Sequence, residues 1–360
     1  MKRRFMLKTM MGAMATLTLL GAANASAADK LKVGFVYVGP ISDHGWSYQH
    51  DQGRLAVEKA LGDKVETTYV ENVGEGADSE RVIRKLASSG HSLIFTTSFG
   101  YMNSTLKVAK AFPKVKFEHA TGYKTSKNVS VYSGRYYQGR YIMGQIAGKM
   151  TKTNKLGYVA SFPIPEVVRG INAFILGARS VNPEATITPV WVNTWYDPGK
   201  ESDAATVLID QGADVITQHT DSPAPLQVAE KRGVMAFGQA SNMIQFAPNT
   251  QLTAIEDNWG PYYIERTKAV LDGTWSTGNV WDGLSSGMVK MSPYKNMPAD
   301  IQAMAMKTEK AVSSGALNPF AGPINKQDGT VLVKAGEVVS EGDLAGMNTY
   351  VEGVIGSLPK

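Results

Sequence analysis

The most constraining feature of this chain is a rhythm that completes itself twice. Short β-branched or aromatic runs alternate with longer runs whose apolar residues recur at helical spacing. "LKVGFVYVG" (31–39) ends in Gly-Pro, and "QGRLAVEKALG" (52–62) follows with Leu55, Ala56, Ala60 and Leu61 at helical spacing and Gly62 as a stop. Strand-like 65–72, 92–98 and 115–122 then alternate with helix-like 79–90 and 103–113. The pattern restarts with a helical run at 137–150. Strands at 155–163, 186–193, 214–220 and 234–241 then alternate with helices at 166–183, 201–212 and 224–233. Two successive βα arrays predict an α/β protein of two Rossmann-like, doubly wound lobes. From about Phe320 the chain turns rich in Gly, Asp and Val, and "QDGTVLV" reads as a hairpin turn, so a short β-rich C-terminal extension is expected.

The N-terminus reads as an export signal. Lys2, Arg3, Arg4 and Lys8 precede an apolar run from Met10 to Ala23, and Ala25-Ser26-Ala27 supplies a cleavage site, so residues 1–27 are expected to be removed. The run is about 14 residues, short of the ~20 that a spanning helix needs. The chain has no Cys, which excludes thiolate zinc sites and the acylated Cys of a lipoprotein, so a released periplasmic protein is expected. Of the net charge of +5, four cations belong to the signal, which leaves +1 and no basic footprint for nucleic acid. The remaining residues, about 330, suit two domains.

In doubly wound sheets, ligands sit beyond the carboxyl ends of the strands. That rule selects the loops 39–46, 71–76, 98–103, 161–166, 193–200, 220–225, 239–245 and 256–261. They hold Trp46, Phe99, Tyr101, Trp195, Tyr196, Asp221, Asp257 and Trp259. Three of the six tryptophans therefore lie in candidate site loops.

Catalytic and metal chemistries find little support. His44 and His50 are six apart, and six helical steps of about 100° put them on different faces, whereas helical metal ligands prefer i, i+4. "GQIAGKM" (144–150) resembles a phosphate loop but is one residue short between its glycines and carries Met150 after the Lys. It reads as a small-residue helix face. Asp43–His44 and His219–Asp221 are loose pairs that no spacing matches with a nucleophile. What survives is aromatic rings with carboxylates and amides on facing loops. Rings sandwich planar ligands, and a carboxylate selects ligands that present N–H or O–H donors. Purines and sugars both qualify.

Four stretches, in order, carry a family resemblance: "GPISDHGWSYQHDQG", "TTSFGYMNSTLKVAKAFPKVKFEHATG", "VNTWYDPGKESDAATVLIDQGADVI" and "LNPFAGPINKQDGTV…MNTYVEGV". The chain resembles the basic membrane protein, or purine-nucleoside receptor-like, family of substrate-binding proteins of ABC importers. The likeness implies the type I periplasmic binding fold, with the lobes joined by a hinge. It places 28–130 plus about 259–283 in the N-terminal lobe and 131–258 plus about 284–360 in the C-terminal lobe. It also implies a purine stacked between two aromatics, Trp46 and Trp195, with Asp43, Ser98, Asp221, Gln239 and Asp257 in the loops that supply polar contacts; Phe99 joins them from its strand-end loop. The chain departs from the pattern at Ser47, where the family has Asn; at "GQASN" (238–242), where nucleoside binders are acidic; and at Asp257, where they carry Lys. Those departures remove groups that would hold a ribose and favour a free base such as adenine.

The expected function is capture of a purine and delivery to a membrane permease by hinge closure, by a monomer with no cofactor and no reaction. The alternatives are a sugar or other small polar ligand, an exported nucleoside-processing enzyme, and a receptor subunit that docks on a sensor.

Overall fold

The computed structural model describes residues 30–42 and 44–359; the signal at 1–27 lies outside the described residues. Five strands build most of the first sheet: β1 Leu31–Val36, β2 Val65–Val70, β3 Leu93–Thr96, β4 Lys116–Ala120 and β5 Val129–Gly134. Five build most of the second: β6 Lys155–Ala160, β7 Thr186–Trp191, β8 Val215–His219, β9 Met235–Gly238 and β10 Gln251–Asp257. Each sheet takes one late strand, β11 (Asn279–Asp282) and β12 (Val289–Met291). The orders are β11-β5-β4-β3-β1-β2 and β12-β10-β9-β8-β6-β7. All pairs in the two sheets are parallel except β10 with β12. Each order reverses between its first and third strands, the crevice where doubly wound sheets bind ligands.

The strands read as apolar runs because helices cover both faces of each sheet. Val33, Phe35, Leu93, Phe95 and Phe117 are fully buried, as are Val159 and Phe237 in the second sheet. The helices are α1 Gly45–Leu61, α2 Ala77–Ser88, α3 Met102–Ala111, α4 Tyr136–Met150, α5 Pro165–Arg179, α6 Pro198–Asp210, α7 Ala224–Arg232, α8 Gly260–Leu271 and α9 Ala299–Ser313. In α2 the stripe Ser79, Val82, Ile83, Leu86 faces the core at helical spacing. Asp197 caps α6, its side chain accepting from the Lys200 N–H at 3.1 Å, with Pro198 at the first helical position.

The chain crosses between the sheets three times: from β5 into α4, from β10 into α8, and from β11 to β12. Helix α4 packs on α5, α9 and β10 of the second lobe, and α8 packs on α1 of the first. Strand β5 stays in the first sheet to Gly134, past the boundary expected at 130, because its register with β4 runs from Phe117↔Val129 to Ala120↔Tyr132. Beyond α9 the chain forms the hairpin β13 (Ile324–Asn325) and β14 (Val331–Val333), whose turn holds Gly329 at φ 82°, and a short helix α10 (Glu341–Ala345). The tail then runs along α5 and β7: Val351 N–H donates to Asn172 at 3.1 Å and Ile355 N–H to the Ile187 carbonyl at 2.8 Å.

The "GQIAGKM" glycines now have a packing role. A Cβ at Gly144 would overlap the Phe174 carbonyl oxygen, and one at Gly177 would overlap that of Tyr141. Helices α4 and α5 thus approach backbone to backbone, and neither carbonyl can rotate away. We predict that Gly144→Val and Gly177→Val each cost about 3 kcal/mol, the upper end for overpacking. A urea unfolding midpoint equal to that of the parent would refute this packing.

Candidate ligand site between the lobes

The carboxyl ends of both sheets converge on one narrow cavity, with a free volume of about 20 Å³, lined by Val38, Trp46, Ser98, Phe99, Thr121, Glu166, Trp195, His219, Asp221 and Gln239. Six of the sequence-predicted residues line it: Trp46, Ser98 and Phe99 from the first lobe, and Trp195, Asp221 and Gln239 from the second. Asp257 ends β10 and is 2% exposed, outside the cavity lining. Asp43 lies outside the described residues. A larger chamber of about 510 Å³ adjoins the cavity and shares Phe99, Thr121 and Glu166 with it.

Trp46 stands in the first turn of α1 and is held from two sides. Its indole N–H donates to the Thr97 carbonyl at 2.6 Å, and its ring makes edge contacts with His50, Tyr136 and Trp259. His50 is fully buried, stacks on Trp259 and shares a hydrogen bond with the Tyr263 hydroxyl, which places it in the packing beneath the site. Trp195 comes from the loop after β7. Its carbonyl accepts from the Asp221 N–H at 2.9 Å, so the loops after β7 and β8 are tied together.

The lobes meet across the cleft. Gly45 N–H donates to Ser241 Oγ at 2.7 Å, Gln49 to the Asp257 carbonyl at 2.9 Å, and Ser133 Oγ to Glu166 at 3.3 Å. Gly45 has φ +81°, and a Cβ there would overlap the Asp221 carbonyl oxygen. Only glycine meets both the conformation and the closeness.

Buried polar atoms crowd the inner end. Arg140, fully buried in α4, donates to Thr217 Oγ1 at 3.0 Å and to Gln239 Oε1, while its Nε has no partner. Asp221 Oδ2, both carboxylate oxygens of Asp257, His219 Nδ1 and the Tyr136 hydroxyl likewise lack partners. Burial raises the Asp221 pKa well above its usual range, and the nearby Glu201 charge adds to this. Asp257 is raised in the same way, by burial first, then by Glu166 and Asp221, with Arg140 opposing. Burial holds His219 below its usual value although Glu166 faces it at 3.4 Å, so it is neutral at pH 7. Such atoms are costly unless something hydrogen-bonds to them. The arrangement suits a small, flat molecule with donors for Asp221 and an acceptor for a buried N–H. Sequence reasoning missed Glu166, Thr121, Val38 and Arg140, and named His219 without giving it a place in the site.

The comparisons with known proteins agree with this geometry. Residues 30–319 match the Bmp family, described as ABC transporter substrate-binding protein PnrA-like. The chain belongs to this family. A Brucella abortus (strain 2308) protein named as purine-binding is 61% identical over 342 residues, covering 95% of this chain and 97% of that protein. A Haloferax volcanii protein, provisionally named an ABC transporter glucose-binding protein, is 38% identical and covers 93% and 83%. Among solved structures, solute-binding proteins of ABC transporter systems share the fold. The one from Aeropyrum pernix K1 superposes with a TM-score of 0.70 at 18% identity, covering 81% of this chain and 94% of that one. The one from Conexibacter woesei DSM 14684 gives 0.63 at 22%, covering 80% and 98%. The type I periplasmic binding fold is therefore established, and the family and its 61% relative are binding proteins. The hairpin and α10 lie beyond the family match.

Asp221 carries a sign-definite prediction. Its folded pKa is raised, so stability falls as pH rises above the ordinary value of 3.8, where the unfolded chain ionises and the folded one resists. Asp221→Asn does not titrate. The ligand-free variant should gain stability relative to the parent as pH rises above about 4. A stability difference flat with pH in urea titrations would contradict the assignment.

Proposed function

We propose that this protein captures a purine in the cavity between its lobes and delivers it to the permease of an ABC importer. The observation that carries this reading is one cavity, fed by the strand ends of both lobes, that sets tryptophans from opposite lobes beside an unpartnered buried carboxylate oxygen of Asp221. The 61% identity to a purine-binding protein over nearly the whole chain supports the same ligand class. Trp46 and Trp195 flank the base, and Asp221 accepts from a ring or exocyclic N–H. A free base such as adenine fits better than a nucleoside, since Ser47, "GQASN" and Asp257 stand where ribose-holding residues occur in the resemblance.

Delivery follows from closure. Ligand that touches both lobes binds the closed form better than the open one and shifts the population toward it, and the permease reads the closed shape. The export signal in the sequence and the family's role support a periplasmic setting for this capture, and the reading takes the protein as a monomer. Among the described residues no helix is long and apolar enough to cross a membrane. The name of the Haloferax volcanii relative favours a second reading, a sugar, which would stack on the same tryptophans.

Mass spectrometry of small molecules released from purified, denatured protein separates the two. A purine base is expected; a sugar or an amino acid would overturn the reading. We also predict that Trp46→Ala lowers purine affinity at least tenfold, since base–aromatic stacking is worth roughly 1–3 kcal/mol by alanine substitution. Calorimetric titration of the folded variant reads this, and an unchanged affinity would assign Trp46 to packing alone.

A further inference from the structure

Glu75 lies outside the cavity lining, in the loop between β2 and α2, and its side chain faces solvent in part. One of its oxygens, Oε1, nevertheless accepts three hydrogen bonds. Ser98 Oγ donates at 2.6 Å and the Gly100 N–H at 2.9 Å, both from its own lobe. The third donor is the Trp195 indole N–H, at 3.1 Å, from the opposite lobe. The carboxylate lies so close to the Gly100 backbone that a Cβ there would overlap it. Two bonds within the first lobe thus aim the oxygen, and the third reaches across the cleft to a ring that lines the cavity.

We infer that Glu75 is a positioning residue that orients Trp195 over the ligand and latches the second lobe onto the first. The inference rests on the purine reading for its ligand. The chemistry is specific to the pair. An indole N–H is a donor only and a carboxylate an acceptor only, so the bond needs no proton rearrangement to form. Its acceptor is charged, which strengthens it relative to a neutral pair. The bond exists only while the lobes are together, so it stabilises the closed form without adding to the stability of either lobe alone. It also fixes the Trp195 ring, whose backbone is already held by the Asp221 N–H, so the ring meets the ligand in one orientation. Glu75 thereby links ligand stacking to closure through a residue that need not touch the ligand.

The test is a mutant cycle on the full-length exported protein with adenine, hypoxanthine and guanine as probes. Glu75→Ala should weaken binding about five- to tenfold, as expected for loss of a charge-assisted bond that is partly exposed. The loss should come from a faster off-rate, and the fall in the ligand-free thermal midpoint caused by losing the two bonds within the first lobe should be the same in the wild-type and Trp195→Phe backgrounds. Trp195→Phe keeps a ring and removes the N–H, and Glu75→Ala in that background should cost less than twofold. Glu75→Gln, which keeps an acceptor oxygen, should restore most of the affinity. Losses that multiply in the double variant would overturn the latch and reduce Glu75 to a support of its own loop. If the wild-type protein bound none of the three bases, the purine reading would fail, and the latch would be decided by the Trp195 indole N–H resonance alone. A resonance that moves between wild type and Glu75→Ala supports it, and one that stays overturns it.

Discussion

Both sheets of this protein are buried on both faces, and such a strand can offer polar groups to a ligand only at its ends. The helices α1 to α3 and α8 around the first sheet, and α4 to α7 and α9 around the second, take up the apolar faces. The polar groups of the cleft are therefore supplied by the loops after the strands, by the first turns of α1 and α5, and by Tyr136 and Arg140 at the start of α4. The position of the site follows from the cost of leaving backbone and side-chain polar groups inside a sheet.

The same constraint explains the electrostatics of the cleft. Asp221, Asp257 and Arg140 are almost wholly buried, and each keeps an atom without a partner. A core built only for stability would replace them with apolar groups. Their retention is the usual trade of a binding protein, in which the unliganded state is held below its attainable stability so that ligand contacts count for more. Binding to the folded state alone then raises apparent stability with ligand concentration, which links the occupancy of the cavity to the stability of the fold.

Much of this was legible in the sequence, and the boundary of that legibility is physical. The order of strand-like and helix-like runs depends on local periodicity, so it located the loops, and the loops located Trp46, Phe99, Trp195 and Asp221, while Ser98 and Gln239 came from the family resemblance. Arg140 escaped because a helical pattern rich in small residues does not say which of its faces packs on the sheet of its own lobe. Glu166 escaped because a Glu in the first turn of a helix is ordinary capping electrostatics, and its pairing with Ser133 joins separate lobes. The late strands β11 and β12 are only four and three residues long and carry no periodicity of their own. Glu75 sat within a selected loop, but its partner Trp195 is 120 positions away, and no local signal connects them.

The three crossings between the lobes have a mechanical meaning. A single tether would let one lobe swivel freely, and two would leave a torsional mode about the line between them. Three covalent segments, from β5 into α4, from β10 into α8 and from β11 to β12, resist both twist and sideways slip. The glycine seam between α4 and α5 makes the second lobe stiff where one of those segments enters it. In the proposed hinge closure, the motion left to the lobes is bending about one axis. Each lobe then retraces one path, and the narrow fit of Gly45 against the Asp221 carbonyl can be reached repeatedly without a search over orientations.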